Sequence, residues 1–226
     1  MNVESRDSVS LKPAELDEFG QLLAGAGLAI SDAELDRQIE SFPLAVLCAD
    51  DGELQSFMFG SLERIGGTPS ILWGLGGAKK GRSAGAALRT MTGELTRRAA
   101  ISFPDEDVLV ATRLAQAPVY AMLQAYADLV PRNGYSPTGE DRAWGRRLAK
   151  RFNCDGGYDD RSFRVDGKGR KPPPLPVLDA SSVKATGGAK VVQLVGELDP
   201  SRGQGMIAFG WAIAEDLAKG VYLAAR

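Results

Sequence analysis

The chain has 226 residues, 44% apolar and 25% charged, with 27 basic and 29 acidic side chains and a formal charge of −2. That is the composition of one globular domain; it excludes a wholly disordered chain or a coiled coil and offers no basic excess to attract nucleic acid. There is no histidine, which removes Ser-His-Asp and Cys-His catalysis, His-ligated metal sites and an imidazole proton shuttle.

In chain order, Met1 to Ser10 carries Glu4, Arg6 and Asp7 and no apolar core, so it does not read as a signal peptide. Leu16, Phe19, Leu22 and Leu23 recur at helical spacing after Pro13, predicting a helix over about 13–24 that Gly25 and Gly27 end. Ser31-Asp32-Ala33-Glu34 reads as a capping box before Leu35, Ile39 and Phe42, a second helix over about 32–42. Leu44 to Cys48 and Leu54 to Leu62 read as a hairpin turning at Asp51-Gly52. Ser70 to Leu75 is a third strand, followed by a glycine- and lysine-rich turn from Gly74 to Gly85. A helix to about Ala99 then carries Leu88, Met91 and Leu95 on one side. Val108 to Thr112 is a compact strand, and Pro118 opens a helix bearing Val119, Met122, Leu123 and Tyr126.

Beyond Ala127 the character changes. Thr138-Gly139-Glu140-Asp141 can cap a short helix bearing Trp144, Leu148 and Phe152. Gly167 to Pro176 reads as an extended, proline-rich linker. Val191 to Leu198 and Gly205 to Ile213 read as two strands joined by a Pro-Ser-Arg-Gly turn. Charge is uneven: Met1 to Gly60 holds twelve acids against Arg6, Lys12 and Arg37, whereas Arg132 to Lys171 holds eleven basic residues against six acids. Two solvated faces of opposite sign explain this, as does an acidic wall for a cationic substrate. Cys48 and Cys154 are far apart and make no zinc or redox pair, and nothing points to an oxidising compartment. The uncharged run Ile65 to Ala78 is too short and glycine-rich to span a bilayer. The expectation is a cytoplasmic protein with no membrane or nucleic-acid partner.

The stretch that carries chemistry is strand, turn, helix. Gly74, Gly76, Gly77, Gly81 and Gly85 lie beside Lys79, Lys80 and Arg82 at the start of a helix. A helix N-terminus offers unpaired N–H groups and the positive end of its dipole, and small residues let a phosphate approach. A tight turn needing positive φ would account for one or two of these glycines. A dinucleotide fingerprint fails because Lys79 stands where its third glycine belongs. An atypical P-loop matches Gly76, Gly81 and Ser83 but has Arg82 in place of the lysine.

Arg82-Ser83-Ala84-Gly85-Ala86-Ala87 resembles the acyl-CoA motif of the GNAT acyltransferase family: Arg or Gln, two residues, Gly, one residue, then Gly or Ala. The order of elements is also similar to that family's over about Pro13 to Tyr126, with the last two strands from Val191. The resemblance implies one α/β (α+β) domain over residues 1–226: a mixed, mostly antiparallel sheet flanked by helices, with residues 127–190 as an insertion or lid. It implies acetyl-CoA or another acyl-CoA as donor and no metal. The pyrophosphate would lie on backbone N–H groups from Arg82, Ser83, Ala84, Gly85, Ala86 and Ala87. The pantetheine arm would run beside Leu75, Gly76, Gly77 and Ala78. A small-molecule amine would attack the thioester directly, a route that needs orientation and polarisation rather than histidine or metal.

The family often has an Asn after its fifth strand and, seven residues later, a Tyr that protonates the leaving thiolate. Here Gln116 stands near the first place and Leu123 at the second, with Tyr120 a turn before and Tyr126 nearly a turn after. Either could serve if the helix is shifted, Tyr120 being the favoured one, and both could equally be packed core residues. Asp50, Glu53 and Glu63 are the general-base candidates, and a water relay would serve as well. An acyl carrier protein could replace coenzyme A, docking on the basic Arg132–Lys171 segment, and the late strands could pair across a homodimer. The other readings of the chain are the P-loop nucleotide-binding protein and a non-catalytic GNAT-like binding module.

Overall fold

A computed structural model describes residues 1–25, 28–167, 178–179, 188–199 and 202–221. The chain opens with β1 (Asn2–Asp7), α1 (Pro13–Gly25) and α2 (Asp32–Ser41). β2 (Leu44–Asp50), β3 (Glu53–Ile65) and β4 (Thr68–Ala78) follow, then α3 (Ala84–Ser102), β5 (Val108–Leu114) and α4 (Ala117–Leu123). Next come β6 (Ala127–Val130), α5 (Gly139–Arg151), β7 (Tyr158–Asp159) and β8 (Arg164–Asp166). β9 (Leu178–Asp179), α6 (Gly188–Val195), β10 (Gln204–Ala212) and α7 (Ala214–Ala218) complete the described chain.

The ten strands among the described residues join one sheet, ordered β1-β2-β3-β4-β5-β10-β8-β7, with β6 added to β10 and β9 to β4. Every pairing is antiparallel except β4 with β5 and β4 with β9. The result is a mixed, mostly antiparallel sheet flanked by helices. The β2–β3 turn has Asp51 at φ 48° and Gly52 at φ 83°, the positive pair that a tight two-residue hairpin requires.

The two faces are set by alternation along β3. Phe57 and Phe59 meet Phe19 of α1, with the Phe19 and Phe57 rings stacked at 4.0 Å. At Gly60 the approach is from Leu95 of α3, whose Cδ1 lies 2.9 Å from where a Cβ would stand. So α1 covers one face and α3 the other. Ala87, Leu88, Met91, Leu95 and Ala99 form the buried stripe of α3 across β2, β3 and β4.

Several expectations need correction. The Gly74–Gly85 turn is shorter than expected: Gly74, Gly76 and Gly77 belong to β4, and only residues 79–83 connect it to α3. The expected strand Val191–Leu198 is instead α6 over most of its length. Val191 and Val195, four residues apart, bury there, and the helix packs on α4. β1, β6, β7, β8 and β9 were not anticipated, and α4 ends at Leu123, short of Tyr126. The Ser31 box keeps its place at the start of α2, but the Ser31 side chain makes no cap bond. At Thr138 both bonds of the capping box form with Asp141. Gly27, the linker over residues 168–176, and Pro200 and Ser201 of the expected turn lie outside the described residues.

Candidate active site

The site is built where two neighbouring strands part. β4 and β5 pair in parallel from Ser70 opposite Leu109 to Trp73 opposite Thr112. The Thr112 hydroxyl donates to the Trp73 carbonyl at 3.0 Å and closes this stretch. On its other edge β4 stays paired with β3 as far as Ala78. There Met58 faces Gly76 and Gly60 faces Trp73, so Gly74 and Leu75 together oppose Phe59. This is a β-bulge, which bends a strand and sharpens its twist. Past Trp73, β4 follows β3 while β5 runs on to α4, and a V opens between them.

Glycines make the bend possible. A Cβ on Gly74 would stand 2.9 Å from the Phe42 ring of the segment after α2. On Gly76 it would meet the Phe57 carbonyl oxygen at 2.5 Å and Met58 Cα at 2.9 Å, both backbone. These glycines serve close packing of β4, not a loop. The P-loop reading needs Gly76 at the start of a free phosphate loop and therefore fails.

The V ends at the N-terminus of α3, whose first turn is Ala84, Gly85, Ala86 and Ala87 with no acid among them. Ser83 is its N-cap and its side chain makes no cap bond. Lys79, Lys80 and Arg82 in the preceding turn are exposed, and Lys79 pairs with Glu53 at 3.0 Å. Small residues, free dipole and cations together suit a diphosphate. The edge of β4 from Leu75 to Ala78 is buried, and β9 runs along it in parallel, Leu178 opposite Gly76 and Asp179 opposite Gly77. Since β3 holds the other edge at the same residues, β9 occupies the side that faces into the V.

Beside the end of β4 is a cavity of about 550 Å³, bordered by α1, the β2–β3 turn and the start of the connection to α3. Glu18, Gln21, Leu22 and Gly25 line it from one stripe of α1; Glu53 and Lys80 face them. Of these α1 residues the sequence pointed only to Leu22, as a helix-face position and not as a site residue. Their signal is the i, i+3, i+4, i+7 spacing of a single helix face.

The remaining expected residues are dispersed. Tyr120 is 2% exposed, and its hydroxyl donates to the Pro131 carbonyl at 2.6 Å. Burial pushes it up to about 12. The Tyr126 hydroxyl lies 3.1 Å from Thr96 Oγ1, which itself donates to the Thr92 carbonyl. The Tyr126 ring meets Trp73 edge-on at 6.0 Å, next to the point where β4 and β5 separate. Gln116 is the N-cap of α4 at the end of the β5 connection. Glu63 faces Ser70 at the far end of β4 and takes Arg151 at 2.8 Å, and Asp50 takes the Met1 amino group at 3.0 Å. Of the three carboxylates named from the sequence, Glu53 is the one beside the cavity. Burial raises both thiols, Cys154 to about 11, so neither is an activated nucleophile. Among the described residues no helix is long and apolar enough to cross a membrane, and no group of three or more acidic or cysteine side chains is placed to hold a metal.

No family model matches the sequence, and no curated protein does. Solved structures do. An aminoglycoside 6'-N-acetyltransferase from Enterococcus faecium is 18% identical with a TM-score of 0.41, over 50% of this chain and 61% of that one. The chain thus spans less than two thirds of that enzyme. An acyl-CoA N-acyltransferase from Pseudomonas aeruginosa is 13% identical with a TM-score of 0.40, over 61% of this chain and 92% of that one. A GNAT family acetyltransferase from Brucella melitensis, in complex with acetyl-CoA, is 17% identical with a TM-score of 0.32, over 48% and 75% of the two chains. At these scores the likenesses say nothing of what this chain binds.

Proposed function

We propose that the chain is an acyltransferase that moves an acyl group, acetyl in the simplest case, from a coenzyme A thioester to the amine of a small cationic molecule. The observation that carries this reading is the V between β4 and β5 ending at the acid-free first turn of α3. The residues fit such a donor. N–H groups from Arg82 to Ala87 would hold the diphosphate, and the β4 edge from Leu75 to Ala78 would pair with the amide-containing arm. Gln116 would border the arm from the start of α4. When bound, the donor supplies an activated carbonyl.

The chain's own work is to orient and to move protons. Glu18 and Glu53, at the cavity, would attract a cationic group of the acceptor, and water would take the proton that an attacking amine loses, because Glu53 is seven β3 residues away from Gly60, which faces Trp73. Tyr126, against Trp73, is better placed than Tyr120 to return a proton to the departing thiolate. It would have to leave Thr96 to do so.

A thermal-shift panel tests the reading. Coenzyme A or acetyl-CoA at about 100 times its dissociation constant should stabilise the protein by roughly 2.7 kcal/mol, and magnesium ATP should not. Acetyl-CoA with a panel of mono- and diamines should release free thiol only when an amine is present. No shift with any coenzyme A species would overturn the reading, and a shift without amine-dependent thiol release would leave a binding module.

A further inference from the structure

The V contains a piece of the chain itself. β8 lies on the far side of β10, two strands beyond β5 in the sheet order, yet the next described strand, β9, lies on β4. The chain then returns to α6, which packs on α4. The return is pinned: Arg164 Nη2 donates to the Leu194 and Val195 carbonyls at 2.8 and 2.9 Å, and Asn133 Nδ2 donates to the Lys190 carbonyl at 2.7 Å. Both described ends are therefore anchored on the β10 and α4 side of the V, while β9 is attached on the β4 side.

A strand edge can be paired only once on a given side. β3 already uses one edge of Gly76 and Gly77, and β9 uses the other. An amide-containing arm lying along β4 would need that second edge. Among the described residues the pairing spans Leu178 and Asp179.

We infer that β9 is an autoinhibitory strap that holds the donor edge of β4 closed and that a coenzyme A donor must displace it to bind, an inference that rests on the donor reading above. Such a strap lowers apparent affinity by the fraction of molecules in which it is released. Asp179→Pro removes a backbone donor from β9 and leaves every residue assigned to the donor or acceptor untouched. Titration calorimetry with coenzyme A should show at least tenfold tighter binding to Asp179→Pro than to the parent, about 1.4 kcal/mol. Hydrogen exchange on the unmodified protein gives a second readout that needs no variant. On saturation with coenzyme A, the Asp179 amide, which by the ladder register faces β4, should exchange faster while those of Gly76 and Gly77 stay protected.

Equal or weaker binding to Asp179→Pro, or unchanged exchange at Asp179, overturns the strap while the donor reading stands. If neither protein binds coenzyme A, the donor reading fails and the strap falls with it.

Discussion

The Tyr120 hydroxyl shows what burial does to a single group. Its pKa is raised to about 12 because the phenolate would lose its hydration inside the protein. A raised pKa means that the protonated form stabilises the fold. That contribution is complete below the ordinary tyrosine value of about 10 and is lost as pH climbs from there towards 12. Tyr120→Phe should cost about 1 kcal/mol at neutral pH, from the lost bond to Pro131, and should show a shallower alkaline decline in urea unfolding than the parent, since Tyr135 and Tyr158, also raised, keep their share. Its turnover should change little. Tyr126→Phe should instead lower kcat more than about tenfold with KM retained, the effect of losing a general acid. Both tyrosines were visible in the sequence, but their partners were not. Pro131 and Thr96 reach them only through packing, and no spacing encodes that.

At the scale of elements, the turn into α3 makes opposite demands on stability and binding. An acid at a helix N-terminus favours the helix by about 0.3–1 kcal/mol but repels an anion that uses the same dipole. Ser83→Asp should therefore leave the melting temperature unchanged or raised while weakening coenzyme A binding by more than about tenfold, read by calorimetry on the same sample. Most elements followed from periodicity: α1, α3 and α5 from their buried stripes, β2 and β3 from the Asp51-Gly52 turn between them. The failures have a common cause. The Val191–Val195 run is rich in β-branched residues, so its composition favours a strand. It becomes a helix because that puts Val191 and Val195 together against α4. β1 is too polar to announce itself and forms because β2 offers it a free edge.

Across the whole molecule, β1 is tied to α3 by a cluster around Glu94. The carboxylate accepts from Arg97 Nε at 2.7 Å and also takes Ser5 and Arg98, and the hydrogen bond from Arg97 is the main cause of its lowered pKa. A lowered pKa stabilises the fold above the ordinary glutamate value, and the contribution is lost as pH falls through the folded-state value. Glu94→Gln should lose about 1–2 kcal/mol at pH 7, and the gap from the parent should narrow as urea titrations move to lower pH. From the sequence alone came most of the helices and strands and the small, basic turn from Arg82 to Ala87, because each depends on neighbours within a few residues, while the α+β class was implied by the family resemblance. Tertiary structure alone decided the bulge opposite Phe59, the V past Trp73, the placing of Glu18 across from Glu53, and the attachment of β9 to β4. These are pairings of backbone edges and helix faces distant in the chain. An edge has no side-chain signature, so local residue pattern cannot say which strand will take it.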